Sequence, residues 1–261
     1  MIDRTFLHLP GVGPVTERRL QAQGMLCWED VLADPQAAPL ANRRLAQIVR
    51  DLKRCRDALR QNNLRFLCDT LVKREQWRIL AQYVDRVSYF DIETSDFDYQ
   101  AHITVIVCLH RGRLRRFVWG ENLDDFLDLL DEVDLLASFN GTTFDIPVVL
   151  RHFHIPELPC PHIDLRWQCY HCGFRGGLKE VERQLQIERP PAVAGVDGTE
   201  AIWLWQRWRF YQDADAREQL IRYCGVDVLS LPLLTGAILH HKLDQPFILP
   251  EEGYWSLVDQ L

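Results

Sequence analysis

Two carboxylates two residues apart, Asp91 and Glu93 in the run Tyr89-Phe90-Asp91-Ile92-Glu93-Thr94, have the types and spacing to do chemistry. Val87, Tyr89 and the apolar run 103–109 predict a central, buried strand there, and residues i and i+2 of a strand share one face. Two like charges on a buried face repel and are costly to desolvate unless a divalent cation sits between them. Later residues must complete such a site. Asp145 closes the run Asn140-Gly141-Thr142-Thr143-Phe144-Asp145, where an acid also serves as a routine helix cap or first-turn residue. Tyr223 and Asp227, four residues apart, share one face of a late helix that is otherwise apolar, so a buried aspartate there needs a partner.

The elements that must hold these groups follow from periodicity. Residues 102–110 and 114–119 are apolar runs joined by Arg111-Gly112-Arg113, an antiparallel hairpin that continues the sheet. Leu123, Phe126, Leu127, Leu130 and Val133 recur at helical spacing, and residues 135–139 form a short buried strand. The predicted body is therefore α/β with a mixed sheet flanked by helices. Residues 160–172 read as a loop and a short helix beginning near Asp164, and 176–187 and 199–211 as two more helices, the last with Trp203, Trp205 and Trp208 at core spacing. The final helix is expected from 214 towards 231, kinked or ended by Pro232.

The chain of 261 residues is 47% hydrophobic and 26% charged, enough to bury one large and one small core. No apolar run is expected to span a membrane and no secretory signal is legible, so the default location is cytoplasmic, with the eight scattered cysteines as reduced thiols. The net charge of −7 is uneven: residues 1–87 carry 15 Lys+Arg against 10 Asp+Glu, and the remainder 15 against 27. This suggests a basic anchoring region, 1–80, joined to an acidic body, 81–261. In the first region, Gly11-Val12-Gly13-Pro14 permits a tight hairpin entering a helix whose first amides could face a phosphate, with Arg18 and Arg19 one turn on. Residues 40–66 read as one helix with Leu45, Ile48, Leu52, Cys55 and Leu59 on one side. Its many arginines suit either a solvated face or a phosphate-tracking patch.

With those residues in place, the sequence resembles the DEDD superfamily of 3′-to-5′ exonucleases on the RNase H-like fold, in its tyrosine-bearing form, and within it the YprB-type, DnaQ-like group. The resemblance covers roughly residues 75–243: Phe90-Asp91-Ile92-Glu93-Thr94 first, 140–147 second, and Tyr223-x-x-x-Asp227 third, with His162-Ile163-Asp164-Leu165, Gly176-Gly177-Leu178-Lys179 and 201–205 between. Cys224 and Val226 stand where that family usually has polar residues. The opening hairpin likewise looks like a helix-hairpin-helix element.

The resemblance implies a metal-dependent exonuclease acting on nucleic acid, DNA favoured over RNA, with two Mg²⁺ or Mn²⁺ ions about 4 Å apart. Asp91 would bridge them, Glu93 and Asp227 would serve the ion that activates water, and Asp145 would act through the second ion's water shell. Tyr223, with an ordinary pKa of about 10, would orient the water rather than deprotonate it. Asn140 and Lys179 are candidate substrate contacts, alongside Gly11, Gly13, Arg18 and Arg19. Two other functions fit the same residues: a non-catalytic nucleic-acid-binding scaffold and a structure-selective endonuclease. Cys160, His162, Cys169 and Cys172 have ligand-like spacing, but Cys169 and Cys172 fall on one face of a predicted helix, which favours core packing over structural zinc.

Overall fold

The computed structural model describes residues 2–96, 98, 100–193, 195–250 and 253–261. It divides into two compact units between Val84 and Asp85.

The first unit is helical: α1 (Pro14–Ala22), α2 (Trp28–Ala33), α3 (Asn42–Arg60), α4 (Leu64–Thr70) and α5 (Trp77–Tyr83). Leu45, Ile48, Leu52 and Cys55 of α3 are buried, while Arg43, Arg50, Lys53, Arg54 and Arg60 face outwards. The single helix expected over 40–66 is in fact two. Asn62 turns the chain at φ +53, and the Asn63 side chain caps α4 by accepting the Phe66 amide at 3.0 Å. Gly11 lies in the left-handed region at φ +74, between a 3-10 turn (Ile2–Arg4) and α1, and Gly13 is the extended N-cap of α1, followed by Pro14. Arg18 and Arg19 are exposed on the first turns of that helix. A Cβ on Gly11 would meet only the end of the Arg44 side chain, which can swing aside. The cost of Gly11→Ala is therefore backbone strain, expected at about 1–2 kcal/mol and readable from the urea midpoint.

The second unit contains β1 (Val87–Thr94), β2 (Ile103–His110), β3 (Arg113–Val118), α6 (Asp125–Glu132), β4 (Leu135–Ser138), α7 (Asp145–His152), β5 (His162–Asp164), α8 (Leu165–His171), α9 (Leu178–Gln184), α10 (Gly198–Tyr211) and α11 (Ala214–Leu243). The sheet order is β3-β2-β1-β4-β5, with β1 antiparallel to β2 and parallel to β4. One side of β1 carries Phe90 and Ile92 into a core shared with Phe126, Leu129 and Leu130 of α6 and Val148 and Val149 of α7. The other carries Tyr89, Asp91 and Glu93, and α11 packs along β1 and β2.

Four expectations change. Residues 162–164 form an edge strand, β5, paired with β4 rather than lying in a loop. Of the three tryptophans expected in the core, Trp205 is buried and meets the Trp119 ring at 5.4 Å, but Trp203 is 60% exposed. Pro232 does not end α11, which continues past it within a helix of 30 residues. Proline removes one helical N–H, but Leu231, Leu234, Ala237 and Ile238 around it are buried, and burial of that apolar surface outweighs a missing hydrogen bond. The Tyr254 hydroxyl donates to the Leu229 carbonyl at 2.8 Å, close to the gap. Contrary to the expectation of no such run, α11 is long and apolar enough to cross a membrane, but 78% of its most apolar stretch is buried inside this unit.

Candidate metal centre

The acidic residues come from four places. Asp91 and Glu93 end β1, where the pairing with β2 slips between Glu93 and Thr94, a bulge of the kind that re-aims side chains at a strand end. Asp145 opens α7 after the β4 turn, and Tyr223 and Asp227 lie one helical turn apart on α11. Together with Asn140, Phe139, Phe144, Gly198 and Ile202 they line one pocket of about 170 Å³ at the carboxyl ends of the parallel strands β1 and β4. Glu93, Asp145, Tyr223 and Asp227 are all buried, at 3–8% exposure.

The turn carrying Asn140 and Asp145 is set by a residue the sequence reading gave no role. Asp164, at the end of β5, accepts the amides of Asn140 at 2.8 Å, Thr142 at 3.1 Å and Arg166 at 3.0 Å. Gly141 is needed within this turn because a Cβ there would stand 1.9 Å from Ser138 Oγ. Asn140 reaches the pocket, but its Oδ1 already accepts from Arg166 at 2.6 Å and Thr143 at 2.8 Å.

Burial, and then the mutual charges, push the Asp91 and Glu93 carboxyls well above the usual range. Burial pushes Asp145 up to about 7, with Asp164 and Asp227 adding to it and its own and the Ile92 amides opposing. Burial also raises Asp227, against Arg189. Tyr223 is raised by burial and by Asp227, so its phenol stays protonated at neutral pH. It is a hydrogen-bond donor or orienter and no base. Arg189 is a second residue that sequence reading missed, in the run Glu188-Arg189-Pro190-Pro191, where neither periodicity nor a motif marks it. Its guanidinium stands 2.5 Å from Asp227 Oδ1 and is also held by Glu182. This is the partner that a buried Asp227 required. Lys179 Nζ lies 4.9 Å from the Tyr223 ring centroid and donates to the Val196 carbonyl, so it stands beside the tyrosine.

These residues suit a divalent cation. Four carboxylates line one pocket, and Asp145 Oδ1 is buried with no hydrogen-bond partner among the described residues. The donors are hard oxygens, with the Cys224 thiol nearby, and among the described residues Asp91, Glu93 and Cys224 bring three ligand atoms within 4.8 Å of one another. Cys160, His162, Cys169 and Cys172 form no such group: Cys160 is in the apolar core with α6 and α7, and His162 Nε2 meets Ser138 Oγ at 2.9 Å.

A mixed sheet in this order, with an acidic pocket at the ends of its central strands, has the RNase H-like α/β arrangement. The chain belongs to the RNase_H superfamily, whose RNase_H_2 model matches residues 88–239, more than half of its length. In structure it is similar to the family B DNA polymerase from the hyperthermophilic archaeon Pyrobaculum calidifontis, at 17% identity and a TM-score of 0.46, covering 60% of this chain. The chain spans 24% of that polymerase. No curated protein matches it.

Proposed function

We propose that this protein is a metal-dependent nuclease that removes nucleotides from the 3′ end of a nucleic acid, with DNA favoured. The observation that carries the reading is the convergence of Asp91, Glu93, Asp145 and Asp227, with Tyr223, on one small pocket. Bound there, two Mg²⁺ or Mn²⁺ ions would supply a hydroxide at neutral pH and neutralise charge developing on the phosphate and the departing oxygen. Asp91 would serve both ions, Glu93 and Asp227 would hold the one that activates water, and Asp145 would act through the water shell of the other. Tyr223 keeps its proton and orients the attacking water. Phe139, Phe144 and Ile202 give the pocket apolar walls against which a terminal base can rest, which favours an end over a continuous duplex.

End-labelled single-stranded DNA and RNA incubated with Mn²⁺ test this directly. Stepwise mononucleotide release from the 3′ end is expected, while internal cuts indicate an endonuclease and binding without cleavage a scaffold. In the helical unit, the Gly11 turn, Gly13, Arg18 and Arg19 would grip phosphates. Replacing Gly11 and Gly13 together is expected to weaken DNA binding and flatten its salt dependence more than it slows cleavage of a short oligonucleotide. Fluorescence anisotropy against salt measures this, and unchanged affinity assigns the turn to packing alone.

A further inference from the structure

Arg189 is a buried cation behind Asp227, beside an acidic centre that is expected to hold metal, and it is held from two sides. Its Nε and Nη2 donate to the two oxygens of Glu182 at 2.7 and 2.8 Å, a fork-to-fork pairing that fixes the plane of the guanidinium. The remaining nitrogen, Nη1, stands 2.5 Å from Asp227 Oδ1, a close ion pair rather than an aligned hydrogen bond. All three side chains are nearly dry, with exposures of 3% for Glu182, 10% for Arg189 and 11% for Asp227. The backbone is stiffened as well, because Pro190 restricts the residue before it to extended conformations. Arg189 is thus held by α9 and by its own chain, and Asp227 rests against it.

A single carboxylate on a helix can turn about two side-chain bonds, and a ligand that turns binds metal poorly. With Oδ1 held by charge against a fixed guanidinium, Asp227 is drawn to one side and has its other oxygen to offer. Resting on the reading of the acidic pocket as a metal centre, we propose that Glu182 and Arg189 are positioning residues that hold Asp227 in its ligating orientation. Neither touches the pocket, so neither is a catalytic residue. Lysine cannot do this work, since one ammonium has no planar fork with which to span Glu182 and Asp227 together.

The test reads metal binding rather than turnover. Mn²⁺ affinity of the full chain, followed by the loss of the free-ion electron paramagnetic resonance signal, is compared for wild type, R189K and the near-isosteric E182Q, with folding checked by circular dichroism. Both variants are expected to bind Mn²⁺ at least tenfold more weakly, and to cause no further loss when added to D227N, because their effect passes through Asp227. Unchanged affinity in either folded variant, or a full additional loss in the D227N background, overturns the proposal. So does tighter binding, which would make Arg189 a competitor for the carboxylate. Wild-type protein that binds no Mn²⁺ overturns the metal centre and this role with it, whereas wild type that binds Mn²⁺ without cleaving nucleic acid counts only against the nuclease reading.

Discussion

Asp91→Asn is expected to lower hydrolysis by about a thousandfold or more and, in the absence of divalent cations, to raise the melting temperature. The first effect follows from Asp91's place in the acidic pocket: replacing a carboxylate ligand with an amide removes several kcal/mol of transition-state stabilisation, and each 1.4 kcal/mol is about tenfold in rate. The second follows from the same crowding. Burial raises the Asp91 carboxyl, and Asp145, Asp227 and Glu93 raise it further, so at neutral pH the metal-free protein suffers from its charge. A neutral amide of the same shape relieves that repulsion, worth about 2–4 °C for each kcal/mol in a chain of this size. A nuclease assay in Mn²⁺ and a thermal melt in EDTA measure the pair of effects. Full activity, or a melting temperature that falls in EDTA, contradicts the placement of Asp91 at the centre of an acidic cluster.

The second large effect is the reversal of pH dependence by metal. Carboxylates whose folded pKa lies above the unfolded value bind more protons in the native state through the interval between the two. For Asp145 that interval runs from the ordinary 3.8 to about 7, and Asp91 and Glu93 shift in the same direction. The contribution of these groups is therefore most favourable below the unfolded pKa, is lost as pH rises through the interval, and stays lost above it. In EDTA, the melting temperature should fall between about pH 4 and pH 7. Saturating Mn²⁺ or Mg²⁺ binds the ionised carboxylates, so the cation-induced rise in melting temperature should grow with pH over the same interval. A cation-induced shift that is absent, or that shrinks as pH rises, would show that the acids do not form a metal site.

Much of this arrangement could be read from the chain, for identifiable reasons. The acidic residues sit at junctions between strongly patterned elements, so β1, the β2–β3 hairpin and α6 place Asp91 and Glu93 in a central strand by periodicity alone. Asp145 and Asp227 become interpretable only in order with that pair. What escaped was structure held by contacts distant in sequence. β5 has only three residues, too few to show alternation, yet its Asp164 fixes the Asn140 turn through two amides and caps α8 through a third. Arg189 lies in a proline-rich connection without period, and its role exists only because Glu182 and Asp227 meet it. Trp203 matches the spacing of its neighbours, and spacing does not say which side of α10 the sheet covers. Pro232 carries a true local penalty, which burial along the rest of α11 outweighs.

The position of α11 in the chain also bears on how the protein becomes active. Cys224, beside Asp227, meets Asp91 across 133 residues of sequence. Contacts of such long range form late, because the entropy of closing the intervening chain must be overcome before they stabilise anything. Until α11 docks, Asp91 and Glu93 stand on an uncovered sheet face without Tyr223, Asp227 or a defined pocket. During synthesis the strands would emerge well before the helix that completes them. A partly made or misfolded chain would then carry the acidic pair but no working centre, so that hydrolytic capacity would arrive with the last large folding event.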